Sequence, residues 1–172
     1  MDFVFNTVYD IDALTVMARA VRKTTHQKRS KRSHIFGLAV IALAVIIVAV
    51  SIMMDKFSFN TFITALAAVV MLMALIYEDR LNAYFASKRM IKGSEKGTVV
   101  FNEDSYTSQT DVGTTEFKYT AIEAIARRGD YIVFVFSRRH AQVYDTTAMT
   151  NGTPKEFYRF IEDKTGLKIQ KI

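Results

Sequence analysis

The side chains best equipped for chemistry are few and scattered in this sequence. Its three His, His26, His34 and His140, lie far apart, and none has a Glu at the spacing of a zinc-peptidase helix. Asp10-x-Asp12 has the form of a cation-binding pair. No carboxylate cluster accompanies it, and a carboxylate at the start of a helical pattern serves better as a cap. Glu103 and Asp104 belong to the turn Asn102-Glu103-Asp104, where acidic residues are ordinary. No Gly-rich loop opens a helix for phosphate, and no Ser stands at a strand–turn–helix elbow. The chain has no Cys, which removes disulfides, thiolate nucleophiles and Cys-based metal sites. The expectation is a protein that is not an enzyme, with no catalytic, cofactor or metal residues.

Positive charge is the distinctive feature. The formal net charge is +6 over 172 residues, and a basic balance points to nucleic acid, an anionic membrane surface or an acidic partner. Position decides among them. The densest cluster, Lys28, Arg29, Lys31 and Arg32, abuts an apolar run, so it reads as a membrane-surface cluster and nucleic acid is not expected. Arg127-Arg128 and Arg138-Arg139 flank the apolar strand Tyr131 to Ser137. At ~3.3 Å per residue they lie roughly 20 Å apart, too far to grip one phosphate, and read as solvated strand ends.

These charges are arranged around a hairpin. Ile35 to Met54 and Phe57 to Tyr77 carry no charged residue. At ~1.5 Å per residue each reaches roughly 30 Å, the hydrocarbon thickness of a bilayer. Two buried core helices of this kind would need a larger protein around them. A cleaved signal peptide does not fit either, because the first run is too long and a second follows. Arg19, Arg22, Lys23, Lys28, Arg29, Lys31 and Arg32 precede the first run, and Arg80, Lys88, Arg89, Lys92 and Lys96 follow the second. The connection has only Lys56, beside Asp55. Short basic flanks stay on the cytoplasmic side. The expectation is a two-pass plasma-membrane protein with both termini cytoplasmic, in contact with the lipid bilayer and, through its basic flank, with anionic headgroups.

Two helical patterns flank the hairpin. Ile11, Leu14, Met17, Ala18 and Val21 recur at helical spacing behind Asp10, and Tyr77, Leu81, Tyr84 and Phe85 form a second stripe. The simplest arrangement lets both extend the hairpin as a short stalk. From about Gly93 to Gly97 the pattern becomes strand-like: "TVVF", "SYTSQT", "TTEFKYT", "YIVFVFS" and "HAQVYD", separated by turn residues. Tyr131 to Ser137 is apolar on both faces, which marks a central strand covered on two sides. Thr153-Pro154-Lys155-Glu156 is a capping box with Pro at the first helical position, and Gly166 stops that helix. Asn151-Gly152-Thr153 has the letters of a glycosylation sequon but reads as a turn and cap. "DFVFNTVY" at the N-terminus alternates, which makes it a candidate further strand of the same sheet.

Two spans, then "FNEDSYTSQTDVGTTEFKYTAIEAIARRGDYIVFVFSRRHAQVYD", then "PKEFYRFIEDK" resemble, in this order, the YcxB-like family of bacterial membrane proteins. The resemblance implies a pleckstrin-homology-like cytosolic domain, a bent antiparallel sheet closed at one end by a C-terminal helix. It brings no agreed activity and no catalytic residues. The expected class is therefore an α+β membrane protein: a transmembrane two-helix hairpin followed by a small PH-like β-domain. Residues 1–34 form the cytosolic N-terminal strand and basic amphipathic helix, 35–77 the hairpin (35–54 and 57–77), 78–97 a juxtamembrane helix and linker, and 98–172 the domain. The expected role is a non-enzymatic interaction module that binds a protein or peptide by its sheet edge or the groove beside the C-terminal helix. Two alternatives stay open: a sensor of anionic lipid using the stretch His26 to His34, and an immunity or accessory protein for a membrane-acting toxin or transporter.

Overall fold

The computed structural model describes residues 2–54 and 56–172. Met1 and Asp55, the latter read above as part of the hairpin connection, lie outside the described residues. The chain is mixed α+β, with two apolar helices and predominantly antiparallel sheets. Strand β1 (Phe3–Val8) comes first, then α1 (Ile11–Thr24), α2 (Gln27–Met53), α3 (Phe59–Ile76) and α4 (Glu78–Arg89). Strands β2 (Lys96–Phe101), β3 (Ser105–Thr110), β4 (Gly113–Lys118), β5 (Ala124–Arg128), β6 (Tyr131–Val135) and β7 (Ala141–Asp145) follow. Helix α5 (Pro154–Thr165) and a short strand β8 (Ile169–Lys171) close the chain.

The N-terminal segment does join the sheet. β1 pairs antiparallel with β2, Phe3 opposite Phe101 and Val8 opposite Lys96, so the first sheet runs β1-β2-β3-β4. The second runs β7-β6-β5-β8. The four helices α1 to α4 are thus an excursion between two paired neighbours, and Tyr9 N–H donates to the Glu95 carbonyl at 2.8 Å where the excursion leaves and returns.

Alternation decides what each face of β6 covers. Ile132 and Phe134 point into an aromatic core with Phe3, Phe5, Phe101, Tyr106, Tyr144 and, from α5, Phe157 and Ile161. Val133 and Val135 point the other way, onto Ala13, Val16 and Ala20 of α1. The strand expected to be covered on both sides is so covered, by residues drawn from both sides of the hairpin. The sheets are antiparallel, as expected, with one parallel pairing added at the edge of the second. β8 follows α5 and pairs parallel with β5, Ile125 opposite Ile169, and Ile172 N–H donates to the Arg127 carbonyl.

Local signals account for the element ends. Asp10 Oδ1 accepts from Ala13 N–H at 2.7 Å and starts α1. Thr153 and Glu156 exchange the reciprocal bonds of a capping box, and Gly166 ends α5 with φ of 68°. Gly152 adopts φ of 85°, and a Cβ there would meet the Phe3 ring at 2.6 Å. Glycine is therefore required where this turn crosses the first strand.

Helices α2 and α3 are long and apolar enough to cross a membrane, with mean hydropathy 3.1 and 2.2 over their best windows. The basic stretch is continuous with the first apolar run in one helix. It forms the first turns of that helix, and the apolar face follows without a break. The two helices pack together, closely at Gly37, where a Cβ would meet Leu75 Cδ1 at 2.9 Å. Ser58 and Thr61 cap the start of α3 reciprocally.

Candidate functional site

Three features are arranged along α1 and the elements packed on it. The first is an ion cluster. Arg19 and Arg22 stand three apart on α1, on one face of the helix, and both reach Asp79 in the first turn of α4. Arg19 Nε lies 2.8 Å from Oδ2. Arg22 is bidentate, Nε to Oδ1 and Nη2 to Oδ2, each at 2.7 Å. The Asp79 side chain is only 6% exposed. Burial pushes its carboxyl up, but the hydrogen bonds and charges of Arg22 and Arg19 together outweigh this and hold it below the usual range. The hydrogen bond to Asp79 raises the Arg22 guanidinium in turn. Beside it, Glu78 contacts His34 Nε2 of α2 at 2.6 Å and lies 3.7 Å from Arg22 Nε. Three helices are therefore tied at the foot of the hairpin.

Sequence reading placed a stripe of Tyr77, Leu81, Tyr84 and Phe85 on α4 and overlooked Asp79. The stripe is exposed, while Asp79 and Ala83, four apart, are the buried face. The stalk expectation is half met. α1 does pack along α4, but its other side lies on β5, β6 and β7, so α1 is a layer of the β unit.

The second feature is a basic bay at the corner between α1 and α2. Thr24, Thr25, His26, Gln27, Lys28, Arg29 and Arg138 line a hollow of about 390 Å³. Arg138 comes from the β6–β7 turn, whose backbone carbonyl lies 3.4 Å from His26 Nε2. Lys28, Arg29, Lys31, Arg32 and Arg138 are all exposed. The other Arg pair is at the opposite end of β6, where Arg127 stacks on the Tyr158 ring at 4.7 Å. The pairs are separate, as expected, but only Arg138 meets the basic cluster. No signal in the linear sequence could have placed it there, because the contact depends on how β6 and β7 lie against α1.

The third feature is a cleft of about 390 Å³ between the helices and the open end of the first sheet. Tyr9, Leu14 and Met17 wall one side, Thr115 and Phe117 of β4 the other, with His140 of the β6–β7 turn and Gln142 of β7 beside them. Gln142 Oε1 accepts from Tyr106 Oη at 2.7 Å and also from Tyr144, which fixes a polar floor. Burial alone drives the Tyr9 hydroxyl up to about 12. Among the described residues, β4 pairs with β3 and has no strand on its far side, and no three His, Asp or Glu gather as a metal site.

The segment that builds the cleft's sheet wall and Arg138 can be matched to known proteins. Residues 101–161 match the family model of YcxB-like protein. The match begins at the last residue of β2 and ends within α5. The matched segment thus contains β3 to β7, the open β4 edge and Arg138. It leaves β1, all four helices of the excursion and the cluster Lys28 to Arg32 outside. No curated protein matches the chain.

Proposed function

We propose that this chain is a membrane-anchored interaction module without enzymatic activity. Helices α2 and α3 cross the plasma membrane as a hairpin, both termini are cytoplasmic, and the β unit is a PH-like domain at the inner face. Their length and apolarity support the spanning reading, as does the imbalance of Lys and Arg between the flanks and Lys56. Exposed Tyr77, Tyr84 and Phe85 follow α3 at the level where aromatic side chains favour a membrane interface. Paired sheets with a helix against their core support the PH-like reading.

The observation that carries the binding role is the unpaired edge of β4 beside a cleft walled by Tyr9, Leu14, Met17 and Phe117. An extended segment of a protein partner adds a strand to such an edge, and its alternate side chains enter the cleft. The test is site-specific photocrosslinking in native membranes, with the reactive side chain at Thr115 in the cleft or at Lys168 away from it. A discrete adduct from Thr115 that Phe117→Asp abolishes, with none from Lys168, is expected. Equal labelling from both positions, or none from Thr115, overturns the edge as the recognition surface.

A further inference from the structure

We propose that the basic bay holds the phosphate of an anionic phospholipid headgroup, gripped between the first turn of α2 and the β6–β7 turn. The proposal rests on the membrane-anchored reading above and goes beyond it, because it assigns a ligand to side chains that the protein-binding role does not use.

The charge distribution separates two sets of basic residues within one segment. Arg19, Arg22 and His34 face α4 and are occupied by Asp79 and Glu78. Lys28, Arg29 and Arg138 face the bay, and among the described residues none of them forms an ion pair. Among the described residues, no carboxylate lines the hollow. The Thr24 and Thr25 hydroxyls donate to the Ala20 and Val21 carbonyls of their own helix. The remaining side-chain donors are Lys28, Arg29, Arg138, His26 and the Gln27 amide, a largely cationic set that suits a phosphate.

Height along α2 selects the source of that phosphate. Ile35, the first residue of the apolar run, follows Arg29 by about 9 Å of helix rise. The headgroup layer extends roughly 5–8 Å beyond the hydrocarbon on each side. Long basic side chains within two turns before Ile35, Lys28 and Arg29 among them, can extend toward that layer. Orienting the hairpin requires Lys and Arg near the ends of the spans. It does not require Arg138, which belongs to the β unit far along the chain. Arg138 is what makes the patch a two-sided bay.

The absence of native Cys allows a single label. The full chain carrying Gln27→Cys and an environment-sensitive fluorophore is placed in nanodiscs of phosphatidylcholine alone or doped with phosphatidylglycerol. Co-elution with the discs tests the membrane reading separately, and a chain that inserts without responding to phosphatidylglycerol overturns only the bay. The expected result is a saturable change on phosphatidylglycerol doping. Arg138→Gln weakens it about fivefold, one basic residue's share of attraction to an anionic surface, and the triple change Lys28→Gln, Arg29→Gln, Arg138→Gln weakens it more than about a hundredfold. Lys155→Gln, on α5, leaves it unchanged. An Arg138→Gln response equal to that of the unmodified chain overturns the two-sided bay. Saturation by inorganic phosphate in phosphatidylcholine discs overturns lipid as the source. Displacement of phosphatidylglycerol by an acidic peptide at lower concentration assigns the bay to a protein instead.

Discussion

Arg22 binds Asp79 through two nitrogens at 2.7 Å, across 57 residues of sequence and from opposite sides of the apolar hairpin. A planar guanidinium on a carboxylate fixes orientation as well as distance. The relative angle of α1 and α4, and with it the position of the sheets below the hairpin, depends on this contact.

Asp79→Ala should destabilise the β unit by about 2–3 kcal/mol. Removing one partner from a buried ion pair costs roughly 3–5 kcal/mol, and the partial exposure of Arg19 and Arg22 reduces this. Arg22→Lys keeps the charge but loses the fork, so its loss should be smaller. Thermal unfolding of the full chain in neutral detergent measures both. An Asp79→Ala chain as stable as the unmodified protein would show that the clasp is ornamental.

Acid should loosen the same clasp in a defined window. The Asp79 carboxyl is held below its ordinary value, so its contribution is complete above the unfolded value of ~3.9 and disappears as pH falls through the lower folded value. Stability from this pair should stay flat from neutrality down to about pH 4 and then decline. Comparing unfolding of the unmodified chain and Asp79→Asn at stepped pH isolates the contribution. A difference that already shrinks well above that window contradicts the assignment.

Phe134→Asp should unfold the β unit. The side chain is fully buried, with the rings of Phe101, Tyr106 and Tyr144 within 5.2–6.0 Å. A buried unpaired carboxylate costs several kcal/mol, comparable with the whole stability of a small domain. Protease sensitivity of the sheets should rise while membrane fractionation of α2 and α3 is unchanged. Resistance equal to that of the unmodified chain would remove β6 from the core.

Topology has a direct test at Lys56, between the apolar helices. In intact cells Lys56→Cys should react with a membrane-impermeant thiol reagent. Reporters active only in the cytosol should work at either terminus. A protected Lys56→Cys, or an external C-terminus, defeats the hairpin arrangement.

Features set by neighbours in sequence were legible. The Asp10 cap, the Thr153–Glu156 box, the Gly166 stop and the two-faced strand β6 follow from local chemistry and alternation. The apolar helices declared themselves by composition. β8 was not legible, since three residues with one Lys give no strand signal until β5 offers a parallel edge. Asp79 was missed because an acidic residue after an apolar run looks solvated, and its burial depends on two Arg from another helix. The basic cluster was legible as charge but not as a bay, since Arg138 arrives through the packing of the second sheet on α1.

The insertion of four helices between β1 and β2 also imposes a schedule. Phe3 and Phe5 are synthesised first, yet Phe3 lies opposite Phe101, made about a hundred residues and roughly 5–20 s later at ribosomal speed. Throughout that interval two aromatic side chains of the eventual core have no sheet to enter. In the proposed arrangement both apolar helices are synthesised before β2, so the sheet that receives β1 is completed only after the anchor has been made. Slower synthesis of the intervening helices would lengthen the time for which β1 has no sheet to join.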